Sequence, residues 1–121
     1  MKLTTAAMLI ALCTGIIPAA AAPTKMTGEE IKSALTGNSV AGVWGSTPYV
    51  SSFDASGKTV YTAQGRAPAE GRWTVKGDQY CSTWEQGGES CYDLERDGDS
   101  IIWVVPGTGA RYPSALIKGQ P

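Results

Sequence analysis

The stretch from Gly71 to Val105, GRWTVKGDQYCSTWEQGGESCYDLERDGDSIIWVV, decides the fold. Four short runs rich in Trp, Tyr, Val, Thr and Ile are cut by three glycine turns, at Gly77-Asp78, Gln86-Gly87-Gly88 and Asp97-Gly98-Asp99. Such side chains suit a pleated, half-buried surface, and glycine tolerates the positive φ that tight hairpins need. The pattern predicts a β-meander. A three-residue loop at Glu85-Gln86-Gly87 sets Tyr80, Cys81 and Ser82 opposite Tyr92, Cys91 and Ser90. Cysteines facing each other across neighbouring strands reach the separation of a disulfide without bending either strand, so a Cys81–Cys91 bridge is expected.

Successive side chains of a strand point to opposite faces, so the same stretch sorts itself in two. Tyr80, Ser82, Trp84, Tyr92 and Leu94 share one face; Thr83, Glu85, Glu89, Asp93 and Glu95 share the other with both cysteines. The bridge is therefore expected on the wet side of the hairpin, as a clamp worth roughly 2 to 3 kcal/mol by the chain-entropy account.

Upstream, Thr27-Gly-Glu-Glu30 has the spacing of a capping box, with Met26 and Ile31 placed as a hydrophobic staple. Ile31, Ala34 and Leu35 form one apolar stripe and Gly37 stops the run, which predicts a helix over about 28–36. A single narrow stripe buries itself only against something larger, so the helix is expected to cover an end or edge of the sheet. Beyond it, Val40–Trp44, Tyr49–Phe53, Thr59–Ala63 and Arg72–Lys76 read as strands, with a long connection from Gly65 to Gly71. Ile101–Val105 and Tyr112–Ile117 follow the meander, and Lys118–Pro121 reads as a loose tail. About eight short strands at even spacing make the fold class mainly β, a small antiparallel β-barrel or sandwich with one short N-terminal helix. Closure into a barrel is favoured because it removes exposed strand edges.

Residues 1–21 have the layout of a signal peptide: Lys2, an apolar run from Ala6 to Ile17, and Ala19-x-Ala21 before a cleavage point near Ala21. The apolar run is short for a bilayer span, and Leu12 before Cys13 does not suit lipoprotein processing. The expected product, residues 22–121, is a single exported domain in the periplasm or medium, with two cysteines in an oxidising compartment. Loss of Lys2 takes the formal charge from −1 to −2, a balance that favours neither nucleic acid nor an anionic membrane as partner.

Leu35-Thr-Gly-Asn38, Phe53-x-x-x-Gly57, Gly71-Arg-Trp-Thr-Val75, Gly77-Asp-Gln-Tyr-Cys81, Ser90-Cys91-Tyr92, Asp97-Gly-Asp99 and Gly119-Gln-Pro121 together resemble a family of small exported bacterial β-proteins with one disulfide. That family carries no assigned activity, so the resemblance implies fold and compartment and no functional residue. Gly109-Ala-Arg-Tyr112 is similar to part of the loop that periplasmic C-type lysozyme inhibitors insert into their target. Here the serine-rich lead-in of that loop is replaced by Pro106-Gly-Thr-Gly109, and the segment lies nearer the C-terminus. Gly42-Val-Trp44 resembles the entry strand of lipocalin-like and avidin-like barrels.

The chain has no histidine, which removes His-based acid–base and nucleophile pairs and most zinc sites. Bridging of both mature cysteines removes the thiolates, so neither catalytic residue, cofactor nor metal is assigned. Of the 11 acidic residues, seven fall between Asp78 and Asp99, opposed there only by Arg96. Their alternation reads as an outward, solvated face; a Ca²⁺ loop at Asp97 and Asp99 lacks the further oxygen ligands, and a glycosidase-like pair lacks an apolar pocket. Trp44, Trp73, Trp84, Trp103, Tyr49, Tyr61, Tyr80 and Tyr92 read mainly as core. The functional alternative is that several line a barrel mouth, with Arg66 or Arg111 supplying a polar contact. Arg66, Arg111 and Tyr112 are thus the candidate contacts to an unknown protein or small ligand in the cell envelope. The sequence points to a non-enzymatic binding or interaction module, with a hydrolase inhibitor and a carboxylate-dependent enzyme as alternatives.

Overall fold

The computed structural model of the protein describes residues 10, 11, 13–15 and 22–119. Most of the expected leader, its cleavage point at Ala21 and the last two residues lie outside the described residues. No described helix is long and apolar enough to cross a membrane.

Nine strands form one antiparallel sheet: β1 (Thr24–Lys25), β2 (Asn38–Trp44), β3 (Thr47–Phe53), β4 (Lys58–Ala63), β5 (Ala69–Lys76), β6 (Gln79–Trp84), β7 (Gly88–Asp97), β8 (Ser100–Val104) and β9 (Arg111–Ile117). Strands β2 to β8 pair in chain order, while β9 pairs with both β8 and β2, so the ladder closes on itself. The result is an eight-stranded barrel, the closed one of the two expected architectures. β1 extends the edge of β7 where β6 ends, pairing Thr24 with Arg96 and Lys25 with Glu95.

The deciding hairpin has the expected register. Tyr80 faces Tyr92, Cys81 faces Cys91 and Ser82 faces Ser90, and the disulfide is formed. Positive φ at Gly87 and Gly88 turns the chain between the two strands. Two expectations need correction. The Gly65–Gly71 connection is shorter than its composition suggests, because Ala69, Glu70 and Gly71 already pair with Tyr61, Val60 and Thr59. The bridge does lie on the outward face, yet Cys81 is fully buried. Lys76 on β5 and Glu89 on β7 reach towards each other across β6, with Nζ 2.7 Å from Oε2, and Glu89 Oε1 lies 3.8 Å from Cys91 Sγ. The Glu89 carboxylate of this charged pair thus lies beside both sulfur atoms.

Helix α1 (Gly28–Leu35) has the expected capping box: Thr27 Oγ1 accepts from the Glu30 amide, and the Thr27 amide donates to the Glu30 carboxylate. A partner from the far end of the sequence joins it. The Gly28 amide donates to Asp78 Oδ1 at 2.8 Å, tying the helix to the β5–β6 turn. Gly28 fits there because it has no side chain, since a Cβ would lie 2.1 Å from the Gly77 carbonyl oxygen.

The helix touches β5 and β6 on one side of the barrel and β2 on the other, so it lies across one end. Ile31, Ala34, Leu35 and the preceding Met26 enter the same buried cluster as Val40, Phe53, Leu94 and Ile101. Strand alternation then places the 45–46, 64–68, 85–87 and 105–110 connections at the opposite end, where no helix among the described residues plugs the barrel. The tail is also less loose than expected at its start: the Gly119 amide donates to Asn38 Oδ1 and its carbonyl accepts from Ser39.

Candidate functional site

Inward-facing positions of the barrel are unusually aromatic, and their height in the barrel decides what each does. Near the helix end, Trp73 and Tyr80 are buried beside Phe53, and the Trp73 indole donates to the Asp54 carbonyl. Tyr80 and Trp103 meet edge to face with centroids 4.9 Å apart, forming a floor at mid-height. Above that floor the rings no longer meet in the middle. Trp44, Tyr61, Trp84 and Tyr92 are only half-buried and line a cavity of about 730 Å³, within the usual range for small-molecule sites.

Each wall is positioned by the sheet. Trp44 ends β2 and packs against Tyr92 at 5.6 Å, edge to face, and flat against Tyr112 at 4.1 Å. Tyr49 and Tyr61, on β3 and β4, stack at 5.2 Å. Trp84 closes β6 and meets Tyr61 edge to face. Its indole lies over the backbone of β5, where a Cβ on Gly71 would come within 2.6 Å of the ring. A glycine inside a strand here marks close approach rather than a turn.

Polar groups in the cavity are few. Ser51 and Ser82 face it from β3 and β6, and Glu85 and Gln86 stand at its rim on the β6–β7 loop. Burial pushes the Tyr49 and Tyr80 phenols up to about 12, an effect that the hydroxyls of Ser114 beside Tyr49 and Ser82 beside Tyr80 only partly offset. Both phenols therefore stay protonated through the physiological range. Thr59 Oγ1, inward and buried close to Tyr80, makes no hydrogen bond of good geometry among the described residues.

The residues expected to touch a partner fall into two groups. Tyr112 stacks on the lining residue Trp44 without itself lining the cavity. Arg66 is exposed on the β4–β5 loop and Arg111 lies on the outer wall, ion-paired with Glu95; neither lines the cavity. Three of the acidic run are outward and ion-paired: Asp93 with Lys25 on the neighbouring β1, Glu89 with Lys76 across β6, and Glu95 with Arg111 across β8. Asp78 serves the helix. Glu85 departs from the outward face assigned by alternation, because beyond Trp84 the chain leaves the strand and turns over the cavity mouth. Glu70 also lines the mouth, but its carboxylate is held by Lys58 at 3.0 Å.

Among the described residues one group, Cys81, Glu89 and Cys91, has metal-ligand proximity. Both sulfurs are consumed by the disulfide, so this donor set does not suit a metal ion. The two carboxyl-bearing residues at the mouth, Glu70 and Glu85, are exposed. Sequence reasoning singled out the aromatic positions but not Ser51, Ser82, Gln86 or the rim position of Glu85. The usable signal was the Gly87-Gly88 pair, which marks where alternation stops.

Comparison of the chain with protein-family models, curated proteins and solved structures finds no match in any of the three. Its functional reading accordingly rests on the geometry above.

Proposed function

We propose that this protein is a non-enzymatic binding module of the periplasm or cell envelope, a disulfide-clamped barrel that holds a small ligand in its open end. The observation that carries the reading is the aromatic cavity of about 730 Å³, floored at mid-barrel and facing away from the helix. A core packed only for stability fills such space, because each void forfeits dispersion contacts. Here eight aromatic side chains from six strands line it instead: Trp44, Tyr49, Phe53, Tyr61, Tyr80, Trp84, Tyr92 and Trp103.

The hydrolase-inhibitor alternative draws less support. The Val105–Ala110 connection is compact, closed by Val105 donating to the Ala110 carbonyl and Gly109 to that of Val105. Arg111 follows it on the barrel wall and already has an acidic partner. The test is a titration of the oxidised protein with a metabolite and glycan panel, followed by tryptophan fluorescence. Saturable quenching by at least one compound, weakened by Trp84→Ala, is expected; flat responses throughout overturn the reading. Export is tested separately, by mass spectrometry of the protein from its native envelope fraction. A chain starting near residue 22 is expected, and an intact leader contradicts it.

A further inference from the structure

Resting on that reading, the geometry points to a ligand class: we infer that the cavity takes an organic cation with a flat apolar body, its charged head at the mouth beside Glu85. Three observations converge. Among the described residues no Lys or Arg lines the cavity: Arg66 shares the β4–β5 loop with the lining Pro68 but is exposed and not itself in the lining, Arg111 is outside and paired, and Lys58 is engaged with Glu70. An anion entering this site loses its hydration with no opposite charge in the lining to replace it. Second, the walls are ring systems whose faces carry partial negative charge, and a cation held by several of them at once gains from each. Third, Glu85 stands at the rim with no ion pair among the described residues, unlike Glu70, Glu89, Asp93 and Glu95.

A neutral flat molecule fits the walls equally well but makes no use of Glu85. A sugar could use Glu85, Gln86, the two serine hydroxyls and the phenols, but it carries no charge for the rim carboxylate to hold. The cation is the one class for which walls and rim act together. Ser51, Ser82 and the protonated phenols are left to fix the orientation of the apolar body.

The experiment titrates the oxidised full chain with four probes, each followed by tryptophan fluorescence and calorimetry. The probes are benzyltrimethylammonium, its neutral shape analogue neopentylbenzene, benzenesulfonate and methyl glucoside. The cation should bind at least about tenfold more tightly than the neutral analogue, and added salt should narrow the gap. Glu85→Gln should remove most of that preference while leaving the affinity for neopentylbenzene unchanged, with the melting temperature confirming an intact fold. Equal binding of the neutral analogue, preference for the glucoside or sulfonate, or a cation affinity indifferent to Glu85→Gln overturns the ligand class while the pocket reading stands. Silence from all four probes overturns the ligand class, and silence across the wider panel removes the pocket reading with it.

Discussion

Thr59 shows how much a single atom reports. Its hydroxyl is buried beside Phe53 and Tyr80 without a hydrogen bond of good geometry, and an unsatisfied buried polar group costs about 1 to 3 kcal/mol. Thr59→Val keeps the shape and removes the polar atom, so chemical denaturation should show unchanged or greater stability, by about 1 kcal/mol. A loss of stability of similar size contradicts the burial assigned to that oxygen. The phenols of Tyr49 and Tyr80 give a second residue-scale outcome. Their folded pKa of about 12 lies above the value near 10 of an exposed tyrosine, so the folded state keeps protons that the unfolded state releases. Stability is then independent of these groups below about pH 10 and falls between about pH 10 and pH 12, by on the order of 2 kcal/mol each. Denaturation midpoints across that range test the sign, and a midpoint that rises above pH 10 refutes it. At this scale the sequence was legible wherever alternation held. Tyr80, Ser82 and Leu94 are inward as read. It was silent where a side chain reaches across a strand, as Lys76 does over β6 to Glu89, because no period encodes such a reach.

Among the elements, the β6–β7 hairpin and α1 were the most readable, each specified by residues a few positions apart. Two local devices hold them. The bridge joins directly opposed residues 10 positions apart, and closing a loop of that length in the unfolded chain is worth about 3 kcal/mol by the chain-entropy account. A Cys81→Ala/Cys91→Ala double variant should lose about that much while still binding the same probes, since the bridge lies on the outer face away from the cavity. Loss of binding in a variant that remains folded contradicts that placement. The helix depends on Asp78, which takes the Gly28 amide from 50 residues away. Asp78→Ala should cost about 1 to 2 kcal/mol, with faster hydrogen exchange confined first to the Gly28–Leu35 amides. Exchange rising uniformly across the barrel contradicts a cap specific to the helix. That contact was not legible, because Asp beside a glycine turn reads equally well as turn chemistry. The same ambiguity hid the start of β5, where Pro68 and two small residues resemble a loop although the chain is already paired from Ala69.

For the whole molecule, the number of strands and the meander were open to sequence reasoning, and closure was favoured there only on the general ground that it removes exposed edges, not from any particular pair of strands. Closure rests on β9 meeting β2 and β8, a pairing between strands some 70 residues apart in one case, and no local pattern distinguishes that from a sandwich. A lined barrel mouth was offered by the sequence as an alternative, but which aromatics form it was hidden for a related reason. An inward Trp at the barrel mouth and an inward Trp at its floor have the same period and composition, and only their height separates wall from core. Trp73 and Trp84 illustrate it: both are inward, yet one is buried at the plugged end and the other lines the opening. The chain's four indoles therefore make a built-in map of the molecule. A nitrogen–proton correlation spectrum followed through a titration with a bound probe tests the account most directly. Shifts at the Trp44, Trp84 and Trp103 indole signals with Trp73 unmoved are the result it predicts; movement of Trp73 alone, or binding that leaves all four signals in place, would contradict it.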